Sequence, residues 1–149
     1  MELLFGIHVR EHGYRIGRFA GVEVERGTQR VRSIFVSADG DMGSHAQTRP
    51  IEAVPIDHFA GDIVLRAFTT SVDPPTGEPL LLSRATRLVR SGHQIGRLVG
   101  VEISPDSGAL TGVFGRQHWW TRRLRLDGAG LDFSIHGEVR AGASKTRAA

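Results

Sequence analysis

Two stretches of this chain, 79 positions apart, carry the same pattern. Residues 13–36 read GYRIGRFAGVEVERGTQRVRSIFV, and residues 92–115 read GHQIGRLVGVEISPDSGALTGVFG. Aligned without a gap, seven of the first twelve positions are identical: Gly13/Gly92, Ile16/Ile95, Gly17/Gly96, Arg18/Arg97, Gly21/Gly100, Val22/Val101 and Glu23/Glu102. Val24/Ile103, Val31/Leu110, Ile34/Val113 and Phe35/Phe114 keep the apolar rhythm. A self-match of this length in one register marks two copies of one structural unit.

A unit of about seventy residues is only marginally stable alone, so the copies are expected to pack on each other or on another subunit. With 40% hydrophobic and 23% charged residues in 149, the chain is globular rather than disordered. Its 19 glycines suit many tight turns. There is no Cys, which excludes disulfide staples, thiolate metal sites and thiol nucleophiles. The opening MELLFGIHVREHG has too short an apolar run for a signal peptide and lacks a basic start. No run approaches the roughly 18 apolar residues of a membrane span. A cytoplasmic protein with no membrane insertion is the expectation. The charge is uneven: residues 1–75 carry a net −2 and residues 76–149 a net +5. The second copy is therefore the basic one, which bears on partners and not on fold.

Along the chain, residues 3–9 form an apolar run that predicts a first strand. Glu11-His12-Gly13-Tyr14 reads as a turn. Residues 15–25 alternate in part, which predicts a strand with one face in and one out. Gly17 and Gly21 interrupt it, and glycine inside a strand marks a bulge or a bend of the kind a small barrel needs. Residues 26–29 and 104–108 are hairpin turns, and residues 30–37 a returning strand. Residues 38–44 (ADGDMGS) read as a solvated loop; Asp39 and Asp41 lack the further oxygen ligands of a calcium loop. Strands are expected over 46–54 and 62–68, with a turn over 57–61. Three prolines in SVDPPTGEP mark a linker. The expected organisation is a first domain over 1–71, a linker over 72–79, a second domain over 80–140 and a basic tail over 141–149. No stretch sustains helical apolar spacing, so the fold class is all-β.

A turn glycine, then I-G-R, then G-V-E-V/I, a turn, a strand ending near Phe, a polar loop and R-P-I-E-A-V together resemble the PRC-barrel family. DIVLR at residues 62–66 fits as the closing strand. The resemblance covers about residues 3–70 and 80–140. It implies two tandem small β-barrels related by duplication. That family is named for the photosynthetic reaction-centre H subunit, and its barrel also forms the C-terminal part of a ribosome-maturation factor. This sequence shows neither the membrane helix of the first nor the N-terminal domain of the second, so neither specific function carries over. The second copy also departs from the pattern, with Arg123-Leu124-Arg125-Leu126 in place of Pro50-Ile51-Glu52-Ala53. What the resemblance implies is a protein-contact or adaptor module with no catalytic residues, cofactor or small-molecule substrate.

The residues themselves point the same way. His8, His12, His45, His58, His93, His118 and His136 show no zinc-site spacing. Ser33, Ser37 and Ser134 lack a G-x-S-x-G elbow. Glu23 and Glu102 recur at the repeat position, where a catalytic pair is conceivable but a local arginine contact is the simpler role. Arg18/Glu23 and Arg97/Glu102 are candidate internal ion pairs. The glycine pattern lacks the G-K-S/T ending of a phosphate loop. One constellation is not duplicated: Arg116, His118, Trp119, Trp120, Arg122, Arg123 and Arg125. On a strand, Arg123 and Arg125 share one face and Leu124 and Leu126 the other. Such a segment can form a protein interface, contact RNA through stacking and phosphate neutralisation, or put one Trp in the core with the arginines merely solvated. A non-enzymatic binding or scaffolding protein, self-associating or contacting another protein, is the leading expectation. An RNA- or ribosome-associated factor is the alternative.

Overall fold

The computed structural model describes residues 1–43, 46–50, 56–59, 61–65, 79–133 and 137–142. Of the linker expected over 72–79, residues 72–78 lie outside the described residues and Pro79 opens a strand; most of the tail, His45, Ser134 and His136 also lie outside them. Within them the chain is all-β. The strands are β1 (Glu2–Leu4), β2 (His8–Glu11), β3 (Tyr14–Glu25), β4 (Val31–Ser37), β5 (Gln47–Pro50), β6 (Ile56–Phe59) and β7 (Asp62–Leu65). They continue with β8 (Pro79–Ser83), β9 (Arg87–Arg90), β10 (His93–Ile103), β11 (Leu110–Arg116), β12 (Leu124–Asp127), β13 (Leu131–Asp132) and β14 (Glu138–Ala141). A 3₁₀ turn at Gly128–Gly130 is the only helical element among the described residues, and no helix is long and apolar enough to cross a membrane.

These strands build two seven-stranded, curled sheets of the half-barrel kind with the same connectivity. One runs β5-β4-β3-β2-β7-β6 and the other β12-β11-β10-β9-β14-β13. In each, a strand of the first hairpin pairs parallel with a strand of the last, β2 with β7 and β9 with β14. The repeated sequence makes the long central strands β3 and β10. Their register slips at equivalent places, around Ala20 and Val99 on one edge and around Ile16 and Ile95 on the other. The glycines expected to bend the strands flank these bulges. Gly17 and Gly96 have φ of 152° and 157°, and a Cβ on either would stand within 2.8 Å of a neighbouring strand's carbonyl oxygen, that of Ser37 or Arg116. The tight turns before them place His12-Gly13 and Ser91-Gly92 at positive φ, the geometry whose twist matches a hairpin.

The remaining strand of each sheet comes from the other copy. β1 lies antiparallel on β10, with Leu3 opposite Val101, and β8 lies antiparallel on β3, with Leu82 opposite Val22. The 79-residue offset of the repeat converts each of these pairings into the other. The sequence pattern predicts one strand over residues 3–9, and here it is corrected. Gly6, at φ 94°, turns the chain so that β1 enters one sheet and β2 the other. A second correction concerns the turn expected over 57–61: Ile56–Phe59 is a strand paired with β7. The pairing also aligns Leu124–Asp127 with Gln47–Pro50, whereas the sequence comparison sets residues 123–126 against 50–53.

The exchange merges the two cores. Leu3, Val22, Leu82 and Val101 are all fully buried, and one apolar cluster runs through residues of both halves. The two-fold relation is visible in the hydrogen bonds as well. Arg30 and Ala109, equivalent positions in the repeat, bridge each other. Val31 donates its N–H to the Gly108 carbonyl at 2.9 Å and Leu110 to that of Gln29 at 2.8 Å.

Because a side chain of the second half closes the core of the first, Leu82→Ala should cost about 2–5 kcal/mol in urea unfolding. It should shift far-UV circular dichroism and tryptophan fluorescence together. Separate transitions for the two signals would contradict the shared core.

Candidate functional site

The unduplicated segment folds as a turn between β11 and β12. Thr121 closes it twice: its N–H and its hydroxyl both donate to the His118 carbonyl, at 3.0 and 2.8 Å. Its hydroxyl oxygen also accepts the His118 N–H at 3.1 Å. That closure leaves Trp119 and Trp120 at the two corner positions, directed away from the sheet. They are 82% and 66% exposed. The possibility that one Trp fills the core is thereby overturned; Leu126, just beyond, is the buried residue of β12. The rings support one another in solvent. His118 stacks on Trp120 with centroids 4.6 Å apart and planes within 6°, and Trp119 meets Trp120 edge-on at 5.6 Å.

The arginines of the segment divide by role. Arg125 on β12 donates to Glu102 at 2.7 and 3.4 Å, reaching across β11. Arg123 donates to Glu2 at 3.3 Å and lies 4.9 Å over the Phe114 ring. Glu2 and Glu102 face each other in the exchanged pairing, and like charges directly opposite are destabilising. Arg123 and Arg125 offset that repulsion, so the face they share serves the scaffold. Arg122 is exposed and makes no hydrogen bond or ion pair among the described residues. Arg116 donates to the Trp119 carbonyl at 3.4 Å, tying the loop back to β11.

The expected pairs within β3 and β10 do not form. Five residues of extended strand separate Arg97 from Glu102 by roughly 16 Å; Glu102 takes Arg125 and the Thr111 hydroxyl instead, the latter at 2.9 Å. Arg18 donates to the Gly6 carbonyl at 2.8 Å, and Glu23 lies five residues further along the same strand β3. In the loop of the first copy, Asp39 accepts the Asp41 N–H at 3.0 Å and the Ser37 hydroxyl at 3.2 Å. Those two bonds hold its carboxyl below the usual range, as a capped turn does. Among the described residues no three His, Asp or Glu side chains gather to hold a metal ion.

Beside the aromatic turn lies a cavity of about 210 Å³ lined by Leu4, Phe5, Arg84, Val99, Arg116 and Arg123. Sequence reasoning missed Leu4, Phe5, Arg84 and Val99 as site residues. The signal available was a break in the repeat: Arg84 occupies the position that Phe5 has in the first copy. Its guanidinium crosses over Gly6, where any Cβ would collide with it. It donates to the Phe5 carbonyl at 3.1 Å and to Asp41 at 3.2 Å. The Nε of Arg116 is buried with no hydrogen-bond partner among the described residues.

Comparison with known proteins finds no family model that matches the chain and no curated protein that matches it.

The Arg125 and Thr111 hydrogen bonds hold Glu102 below its ordinary pKa of 4.5. A lowered folded-state pKa contributes stability above the unfolded value and loses it as pH falls through the folded one. Glu102→Gln should therefore melt below the wild type at neutral pH, with the gap closing as pH drops below 4.5. A gap that stays constant in thermal melts across that window would show that the Arg125–Glu102 pair contributes nothing.

Proposed function

We propose that this chain is a duplicated PRC-barrel-type binding module, without catalytic activity, that contacts another protein or a second copy of itself through the aromatic turn at His118–Thr121. The observation that carries this reading is the pair of tryptophans held 82% and 66% exposed on a turn closed by its own hydrogen bonds. A tryptophan removes on the order of 200 Å² from water when it is covered. That is several kcal/mol at about 25 cal/mol per Å², before the costs of association. A pre-formed turn loses little freedom on binding, and Trp with Arg nearby is the composition of interface hot spots. The barrel assignment is supported by the I-G-R…G-V-E pattern and by bulges at the same glycines in both copies.

An RNA contact draws on Arg122 and on the net +5 of residues 76–149. It is the weaker reading, because Arg123 and Arg125 already pair with Glu2 and Glu102, which leaves Arg122 as the unpaired cation of the 122–125 run among the described residues.

Trp119→Ala and Trp120→Ala should leave the melting temperature unchanged and abolish capture of the partner from native lysate, or abolish self-association in sedimentation. Binding should persist at raised salt. Loss of binding with Arg122→Ala alone, together with a steep salt dependence, would favour RNA and overturn the protein reading.

A further inference from the structure

The geometry points to the cavity beside the aromatic turn as a receptor for a single carboxylate of the protein partner, with Arg84 and Arg116 as its principal donors. This rests on the reading that the turn meets another protein, and adds what that protein must carry. The first ground is charge. Three guanidinium groups line the cavity, those of Arg84, Arg116 and Arg123. Two carboxylates answer them, Asp41 on Arg84 and Glu2 on Arg123, at 3.2 and 3.3 Å. One positive charge is left over, on Arg116, whose only hydrogen bond among the described residues is the 3.4 Å contact to the Trp119 carbonyl.

The second ground is shape and lining. A cavity of about 210 Å³ is smaller than the roughly 300–1,000 Å³ of pockets that hold whole ligands. It suits a chain end or an acidic side chain. Leu4, Phe5 and Val99 supply apolar wall for the methylenes behind the carboxylate, and the flat fork of arginine matches a carboxylate with two parallel hydrogen bonds. The third ground is the comparison between copies. In the first copy, the loop between β4 and β5 brings its own acids, Asp39 and Asp41, and Asp41 reaches Arg84. The equivalent loop of the second copy, QHWWTRR at residues 117–123, contains no acid. The first loop thus answers Arg84 at the cavity, while no acid of the second loop answers Arg116. An isolated carboxylate is also what distinguishes this site from a nucleic-acid track. Arg125, the next cation along, is held by Glu102.

Trp119 and Trp120 are the only tryptophans in the chain, so intrinsic fluorescence reports this region alone. The probes are the acetylated tetrapeptide Leu-Asp-Leu-Phe with a free C-terminus, its C-terminal amide, the amide with Asn in place of Asp, and an oligouridylate. The free peptide should give a saturable change in emission, and the uncharged amide about tenfold weaker binding or none. The charged amide separates a side-chain carboxylate, if it binds like the free peptide, from a chain terminus, if it does not. Arg116→Gln and Arg84→Gln should each weaken the peptide about tenfold with the melting temperature kept, and Arg84→Lys less. Equal binding of all three peptides, or unchanged binding in both glutamine variants, overturns the carboxylate site. If Trp119→Ala abolishes that same binding, the protein-contact reading survives the failure; if Trp119→Ala is also neutral, both fall. A response to oligouridylate and not to the peptides overturns both.

Discussion

The structure depends on the reciprocal exchange of one short strand. β1 leaves its own half to cover the edge of β10, and β8 does the same for β3. Each exchange adds a few backbone hydrogen bonds, worth about 0.5–1.5 kcal/mol apiece, and buries leucines of one copy in the shared core, Leu3 from β1 and Leu80 and Leu82 from β8. It also removes an exposed strand edge from each central strand, where another chain would otherwise pair. Neither half has a complete core without the other. That resolves the marginal stability expected of so short a unit, because the two copies share one apolar interior instead of maintaining two.

The same exchange makes the candidate site composite. Leu4 and Phe5 lie where the chain leaves β1, and Arg84 lies at the equivalent exit from β8. Val99 and Arg116 belong to the sheet that receives β1, and Arg123 to the loop that leads into its strand β12. The cavity exists because a strand of one copy crosses onto the sheet of the other. Arg123 joins the two ends of this arrangement, holding Glu2 of the incoming strand on one side and resting on Phe114 on the other. The aromatic turn is fastened to the frame by Arg116 alone among the described hydrogen bonds.

Much of this was legible in the sequence because local chemistry dictated it. Partial alternation in residues 15–25, the returning strand over 30–37, the turn residues at 11–14 and the strand-bending glycines all act over a few neighbours, and the strands formed there. The exchange was not legible. Residues 3–9 read as one apolar run, and periodicity does not reveal that Gly6 divides the run between two sheets. The ion pairs were misplaced for a related reason. Proximity along β10 suggested Arg97 for Glu102, whereas lateral pairing through β11 brought Arg125. At the site, Trp119, Trp120 and Arg116 stood out by composition. Their exposure was set by the Thr121 closure, a three-residue hydrogen-bond pattern too general to recognise beforehand. Arg84 was hidden because its partner, Phe5, is distant in sequence.

The two loops that follow β4 and β11 occupy equivalent places in a nearly symmetric frame, yet only one carries tryptophans. Had the same architecture been assembled from two identical half-length chains, every molecule would present that turn on both sides and could bridge two partners into a growing array. Fusion into a single polypeptide let the loops differ, so the molecule presents the aromatic turn once, on one side of a nearly symmetric frame.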